Sequence, residues 1–180
     1  DNSKHSSVPL TDEIESLKEF YYQIKNGIGV NKSPDKYGAF PTDPYSHTPS
    51  FSGVQQPGMT GQVKEDVISR FRELGINIKD GRIIIIPTLL NKDEFLSIEK
   101  EFNYYNVDGN KKQLLIKSNS LAFTYCQVPI IYNVADENKI FVTTNDEIIE
   151  FEGLKLDTKL SNSIFNRDGR IQKIEVKIKL

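Results

Sequence analysis

The sequence predicts an α+β fold, in which N-terminal helices are followed by an antiparallel β-sandwich-like domain. Apolar residues recur at helical spacing near the N-terminus and again between residues 61 and 74. After Gly75 the apolar residues alternate instead, in short runs typical of strands. Three Asp-Gly steps, at residues 80, 108 and 168, mark tight turns between such runs. We therefore predict a helical segment over residues 1–75 and a β-domain over residues 76–180.

Composition limits the class of protein. The 180 residues carry a formal net charge of -2. So small a charge provides no basic face, which argues against a nucleic-acid partner. No apolar run approaches the length of a membrane span, so no membrane partner is expected. No targeting segment is recognisable, which favours the cytoplasm without assigning a location.

The chain is expected to belong to a longer polypeptide. It begins with Asp1, and its one methionine is Met59. Its hydrophobic content of 37% is low for a domain that stands alone. We expect a piece that packs against something larger.

The first helix is predicted from Thr11 to Gly27. Asp12 and Glu13 lie in its first turn, where negative charge is favoured by the helix dipole. Its apolar stripe needs a covering surface, either the remainder of a parent chain or a second copy in a homodimer. The stripe comprises Ile14, Leu17, Phe20, Tyr21, Ile24 and Ile28.

Residues 29–60 form the predicted long loop. This segment holds five of the eight prolines, and aromatic residues are distributed through it. A long loop without periodicity is normally either disordered or functional, and a disordered linker is poor in aromatic residues. We therefore expect an ordered loop held against a surface.

The predicted binding site lies where this loop meets the start of the second helix. Thr60 can accept a free backbone N–H there, and Gly61 leaves the first-turn amides without side-chain cover. Such a helix start can hold an anion. The structural alternative is a threonine that only caps the helix.

The loop just upstream contributes the rest of the predicted site. Gln55 and Gln56 each offer a donor and an acceptor, the combination that sugar hydroxyls require. Tyr45 and His47 complete the predicted set of binding residues. The alternative is that a loop rich in Ser, Pro and Gly only connects two elements.

The second helix is predicted from Gly61 to Leu74, with Gly75 as its C-terminal stop. Arg70 and Arg72 near its end suit the helix dipole, and the sequence suggests no further role for them. A hairpin is predicted about Asp80-Gly81, and its isoleucine-rich second strand ends at Pro87.

The remaining strands follow at short intervals. A hairpin is predicted about Asp108-Gly109, then strands over residues 121–132, 139–144 and 147–156. A last hairpin about Asp168-Gly169 leads into residues 171–180. Pro129 belongs at a sheet edge or a bulge. Apolar and charged residues alternate in the last run, so one of its faces should contact water.

No catalytic residue, metal site or cofactor is predicted. His5 and His47 are the only histidines, and a lone cysteine does not complete a zinc ligand set. Ser46 and Asp43 flank His47, but neighbours in sequence rarely form a catalytic triad. Cys126 is predicted to be a buried thiol inside a strand, and therefore unreactive. The chain has residues for binding but none for breaking bonds.

Short motifs between residues 59 and 87 resemble a known family. They are MTG at residues 59–61, LGI at residues 74–76 and DGRIIIIP at residues 80–87. In this order they resemble the C-terminal end of the cellobiose phosphorylase family and its relatives with a helical α/α barrel. The strings KSPDKYGAFPTDPYSHTP, QQPGMTGQVKED and LAFTYCQVPIIY also resemble the tail of large bacterial proteins of glycosidase type.

This resemblance implies that residues 1–75 are the end of an α/α barrel and that residues 76–180 brace it. Phosphorylases of the family bind phosphate partly through the Thr-Gly step, which corresponds here to Thr60 and Gly61. A glutamine of the preceding loop contacts sugar, which corresponds to Gln55 or Gln56. The family's general acid lies earlier, in the barrel. This chain departs from the family at residues 62–65, where QVKE stands, so phosphorolysis and hydrolysis both remain open for the parent.

The leading hypothesis is therefore the C-terminal part of a larger carbohydrate-processing protein, a glycosidase or glycoside phosphorylase, that is inactive alone. Its ligand would be an oligosaccharide or sugar, with phosphate possible, bound through the parent. A second hypothesis is a free-standing carbohydrate-binding β-sandwich that uses exposed tyrosines, for which core packing is the alternative explanation. The candidates are Tyr104, Tyr105, Tyr125 and Tyr132. A third hypothesis is a structural or protein-binding module that uses the first helix.

Overall fold

A computed structural model describes residues 10–27 and 60–179. The chain divides into two compact units, residues 1–68 and residues 69–180. The division falls within the second helix. The β-domain lies entirely in the second unit.

Two N-terminal helices are present, as predicted. Helix α1 spans Leu10–Gly27 and helix α2 spans Thr60–Glu73, so each lies within one residue of its predicted bounds. Three residues of the α1 stripe are exposed, Ile14 to 41%, Leu17 to 68% and Phe20 to 60%. Among the described helices, none combines the length and the hydropathy needed to cross a bilayer.

The β-domain contains nine strands and a third helix within the described residues. The strands are β1 (Ile76–Lys79), β2 (Arg82–Ile85), β3 (Lys100–Tyr105), β4 (Lys111–Ile116), β5 (Ser120–Tyr125), β6 (Val128–Val134), β7 (Lys139–Thr144), β8 (Ile148–Glu152) and β9 (Ile171–Ile178). Helix α3 spans Thr158–Asn166, and a short 3₁₀ turn occupies Lys92–Glu94.

The strands form three sheets. β1 pairs with β2 and β3 pairs with β4, each as an antiparallel hairpin. The third sheet has five strands in the order β5-β6-β9-β7-β8. Its pairs are antiparallel except that β6 and β9 run parallel. The predicted class, helices followed by largely antiparallel strands, is therefore confirmed.

A single core joins the β1–β2 hairpin, the five-stranded sheet and α3. Its members are almost all branched aliphatic residues, which suit the pleated surface of a sheet. Burial of such residues is the main stabilising contribution to the domain. The largest fully buried side chains include Tyr132, Ile83, Ile130, Ile140, Leu156, Ile164 and Ile174.

The prediction that one face of the last strand contacts water is confirmed. Ile174, Val176 and Ile178 are buried, whereas the alternate residues of β9 carry charges that pair on the opposite face. Lys173 lies 2.8 Å from Glu175. The five-stranded sheet therefore has one apolar face against the core and one face of ion pairs.

Pro129 occupies a position in β6 that needs no backbone donor. It lies opposite Thr124 of β5, and the pairing of β6 with β9 begins only at the next residue, Ile130. The nitrogen of a proline cannot donate to a sheet, so this position is tolerated. The predicted sheet edge or bulge at Pro129 is wrong, because β6 lies between β5 and β9 and its pairing with β5 is regular.

The predicted hairpin about Asp168-Gly169 is wrong, because a helix precedes this turn. The carboxylate of Asp157 accepts a hydrogen bond from the N–H of Leu160 at 2.7 Å and caps α3. Leu160 and Ile164, four residues apart, bury the inner side of the helix. The turn therefore connects helix to strand, and the Asp168 carboxylate accepts from the Ser163 hydroxyl at 2.7 Å.

The predicted location of Cys126 inside a strand is also wrong. Cys126 and Gln127 form the two-residue turn between β5 and β6, with φ values of 49° and 66°. Both residues are left-handed, as in the tight turns that usually contain Asn-Gly. The thiol is only half-buried. Its burial nevertheless raises the pKa of Cys126, which keeps the thiol protonated near neutral pH.

One substitution in β7 is expected to stabilise the domain. The hydroxyl of Thr143 is the one buried side-chain polar atom without a hydrogen-bond partner among the described residues. Thr143→Val keeps the shape and removes this unpaired group, so we expect the free energy of unfolding to rise by up to about 1 kcal/mol. Urea denaturation measures the change.

The neighbouring threonine provides the matched control. The Thr144 hydroxyl donates to the carbonyl of Glu147 at 2.9 Å and accepts from the N–H of the same residue at 3.1 Å. Thr144→Val should therefore lower the free energy of unfolding by about 1–2 kcal/mol. Equal effects of the two substitutions would contradict the finding that the Thr143 hydroxyl lacks a hydrogen-bond partner.

Candidate functional site

The binding residues predicted from sequence fall mainly outside the described structure. Tyr45, His47, Gln55 and Gln56 lie outside the described residues. Thr60 and Gly61 are the first two residues of α2, as expected for a Thr-Gly step at a helix start. The predicted sugar and anion site therefore stays a prediction.

The best-defined arrangement is where the last turn of α2 meets the β-domain. We call it the helix joint, and it consists of Arg70, Glu73, Leu74, Gly75, Ile86 and Tyr132. All six residues belong to the second compact unit.

Gly75 ends α2 in the left-handed conformation, with φ at 83°. Its N–H donates to the carbonyl of Arg72 at 2.9 Å, which satisfies one of the free carbonyls at the helix end. Its own carbonyl accepts from the N–H of Ile86 at 2.8 Å and from the side-chain amide of Asn77 at 2.9 Å. A Cβ atom at Gly75 would lie 2.7 Å from the backbone carbon of Ile86. The joint therefore requires glycine at this position.

Tyr132 anchors the helix end from inside the core. Its side chain is fully buried, and its hydroxyl donates to the carbonyl of Leu74 at 2.7 Å. The aromatic ring packs edge-to-face on Phe123, with centroids 5.2 Å apart. Burial raises the pKa of Tyr132 far above the ordinary value for a phenol. The hydroxyl therefore remains a donor throughout the pH range in which proteins are stable.

Arg70 ties the same turn of α2 to the loop that follows β2. One of its guanidinium nitrogens lies 2.9 Å from the carboxylate of Glu73, a residue that is only 2% exposed. The other terminal nitrogen pairs with Glu94, in the 3₁₀ turn. The guanidinium thus uses its fork to hold two carboxylates at once.

The helix joint holds the C-terminal end of α2 against the β-domain. Its one charged network is a cation held between two carboxylates, and its phenol stays protonated. In the described part of the chain, no group of three or more His, Cys, Asp or Glu residues could hold a metal ion.

The four candidate tyrosines do not form one exposed platform. Tyr132 is buried, and Tyr125 is half-buried against Phe71, at a centroid distance of 5.2 Å. Tyr104 is half-buried beside Phe102. Only Tyr105 of the four is largely exposed, to 62%. Packing against other residues, the alternative explanation, therefore holds for three of them.

No protein-family model matches the sequence, and no curated protein matches it significantly. Function is therefore inferred from the structure and from the residues of the chain itself.

Sequence reasoning assigned Arg70 to the helix dipole and missed its two carboxylate partners. Part of the signal was present, because Arg70 and Glu73 are three residues apart on a predicted helix. The pair with Glu94 was not visible, since that residue lies 24 positions further along the chain, in the loop after β2. Tyr132 was considered for sugar binding, whereas its hydroxyl fixes the helix end.

Loss of the Arg70 guanidinium should destabilise the β-domain. Arg70→Ala removes ion pairs to one buried and one partly exposed carboxylate. We therefore expect it to lower the free energy of unfolding by about 2 kcal/mol. Chemical denaturation measures it. Lys173→Ala, which removes the partly exposed pair with Glu175, is the matched control and should change stability by less than about 0.5 kcal/mol. Similar losses of stability in the two variants would show that the ion pairs of Arg70 stabilise the domain no more than the Lys173–Glu175 pair does.

Proposed function

We propose that this chain is the C-terminal part of a larger carbohydrate-processing protein and that it has no activity alone. Its β-domain would brace the helical body of the parent, and the loop before α2 would line the sugar site. The parent would be a glycoside hydrolase or a glycoside phosphorylase. This assignment rests on the motifs at residues 59–61, 74–76 and 80–87, which resemble the C-terminal end of the cellobiose phosphorylase family.

The observation that carries the proposal is the apolar exposure of the two helices. Large apolar residues are more than half exposed on both, Leu17 and Phe20 on α1 and Val67 and Ile68 on α2. The β-domain buries a continuous apolar core of its own, although single residues such as Ile98 and Ile148 are also exposed on it. Apolar stripes of this kind are normally covered, because their exposure to water is unfavourable. The helices therefore suit a chain that continues into, or packs on, further protein.

The helix joint supports the bracing role. It fixes the end of α2 through Gly75, the Tyr132 hydroxyl and the Arg70 ion pairs.

The activity test uses the purified 180-residue chain and the polypeptide encoded further upstream in the same reading frame. We expect the chain alone to cleave no glycoside, in the presence or absence of phosphate. The extended protein should cleave one, and Gln56→Ala or Thr60→Ala should reduce that activity. Glycoside cleavage by the 180-residue chain itself, abolished by either substitution, would contradict the proposal.

A second candidate function is protein binding through the α1 stripe, either to another protein or in a homodimer. The exposure of Leu17 and Phe20 favours it as well. Light scattering of the chain and of Leu17→Lys/Phe20→Lys tests it: the chain should self-associate and the variant should be monomeric. Ser16→Lys/Gln23→Lys adds the same charge at exposed polar positions of α1 and should leave association unchanged. A monomeric chain at high concentration would argue against the homodimer.

A further inference from the structure

The β3–β4 hairpin has one half-buried face and one exposed face. Because side chains alternate along a strand, Phe102, Tyr104 and Leu114 share a half-buried face with the buried Ile116. The opposite face, which we call the outer hairpin face, consists of three directly opposed pairs. They are Glu101 with Leu115, Asn103 with Gln113, and Tyr105 with Lys111.

All six residues of the outer hairpin face are exposed. Tyr105 is 62% exposed and Leu115 is 63% exposed. The polar members make no side-chain hydrogen bond or ion pair with the described part of the chain. The charged face of the five-stranded sheet is different, because there Lys139 pairs with Glu150 at 2.9 Å and with Glu152 at 3.0 Å. The polar groups of the outer hairpin face are thus available to a ligand.

The size of the face limits what can bind to it. Two paired strands of six residues present a strip of about 20 Å by 10 Å. A stable protein interface buries about 800 Å² on each partner, several times this area. The strip therefore suits a short, extended ligand better than a folded partner.

The chemistry of the face specifies the ligand further. One positive and one negative residue, Lys111 and Glu101, lie at opposite ends, so the face has no net charge and favours a neutral ligand. The amides of Asn103 and Gln113 stand side by side at its centre, and each can donate and accept a hydrogen bond. The exposed ring of Tyr105 offers an apolar surface with a polar tip.

We infer that the outer hairpin face binds a short neutral oligosaccharide. The Tyr105 ring stacks on the C–H face of one sugar, and the amides of Asn103 and Gln113 hydrogen-bond to hydroxyls of the next. The Glu101 carboxylate accepts from a further hydroxyl along the strip. This site lies on the β-domain and does not depend on the loop at residues 45–61 or on the chain belonging to an enzyme.

The test is an NMR titration of the complete, ¹⁵N-labelled chain with cellotetraose, maltotetraose and xylotetraose. At least one of them should shift the side-chain amide signals of Asn103 and Gln113 and the backbone amide signals of β3 and β4, with a Kd of about 1 mM or tighter; the backbone signals give the Kd of the variants. Tyr105→Ala should weaken this binding at least about ten-fold, and Asn103→Ala/Gln113→Ala should do the same. Lys112→Ala, on the opposite face of β4, is the matched control and should leave the Kd unchanged.

Three outcomes would overturn the inference. The first is that none of the three tetrasaccharides shifts these signals at about 10 mM. The second is that a sugar binds equally well to the folded Tyr105→Ala and Asn103→Ala/Gln113→Ala variants. The third is that the same signals shift with protein concentration in the absence of sugar, which would assign the face to a second copy of the chain. The activity of any extended protein is not involved, so this test and that of the proposed function can fail separately.

Discussion

Gly75→Ala is expected to lower the free energy of unfolding by about 4 kcal/mol. Two effects add. Gly75 has a φ of 83°, and the new Cβ would stand 2.7 Å from the carbon and 2.8 Å from the oxygen of Ile86. Both are backbone atoms, so the contact can be relieved only by shifting the strand or the helix end. Such a loss is a large part of the stability of an ordinary domain.

Gly153→Ala separates the two effects. Gly153 has nearly the same φ, 81°, but no atom within 4 Å of the position of its Cβ. Gly153→Ala should therefore lower the free energy of unfolding only through the unfavourable backbone conformation, by about 1–2 kcal/mol. Urea denaturation followed by circular dichroism measures both variants. If the two substitutions have equal effects, the close approach of α2 to Ile86 does not exist in solution.

Tyr132→Ala should also lower the free energy of unfolding by about 4 kcal/mol. The substitution removes a fully buried ring from the five-stranded sheet and also removes the hydrogen bond to Leu74. Tyr132→Phe keeps the ring and removes only the donor, so it should lower the free energy of unfolding by about 1.5 kcal/mol. Calorimetry of both variants measures the two contributions.

Tyr105→Phe is the control for the loss of a phenol as such. Tyr105 is 62% exposed, so this change should alter stability by less than about 0.5 kcal/mol. Amide exchange gives a second measurement. The N–H groups in the last turn of α2 should exchange faster in Tyr132→Phe, because the Leu74 carbonyl has lost its donor. Unchanged exchange there would show that Tyr132 does not hold the helix end.

Elements with strong local signals were predictable from the sequence. Both helices follow from apolar spacing, and the β1–β2 and β3–β4 hairpins follow from Asp-Gly turns. Helix α3 was missed because Ser161 and Ser163 interrupt its apolar pattern. Ser161 is buried and accepts a hydrogen bond from the N–H of Ile83 at 3.0 Å, a contact across 78 residues. The turn at Cys126 was missed because neither of its residues is the glycine or asparagine usual there.

Little of the helix joint could be predicted. The sequence identifies Gly75 as a helix stop, but the need for glycine also depends on the backbone of Ile86, the residue that follows β2. The role of Tyr132 depends on the pairing of β6 within the sheet, which no local pattern encodes. The outer hairpin face could have been found, since alternation along the two strands about Asp108-Gly109 already assigns Tyr105 and Gln113 to one side.

The position of β9 has a consequence for how the domain is made. The strand lies between β6 and β7, which belong to separate hairpins and do not pair with each other in the described sheet. While the ribosome is still adding residues 171–178, each hairpin has an unpaired strand edge exposed to the solvent. Such edges attract the strands of other nascent chains. A newly made chain should therefore need a chaperone until β9 has paired with β6 and β7.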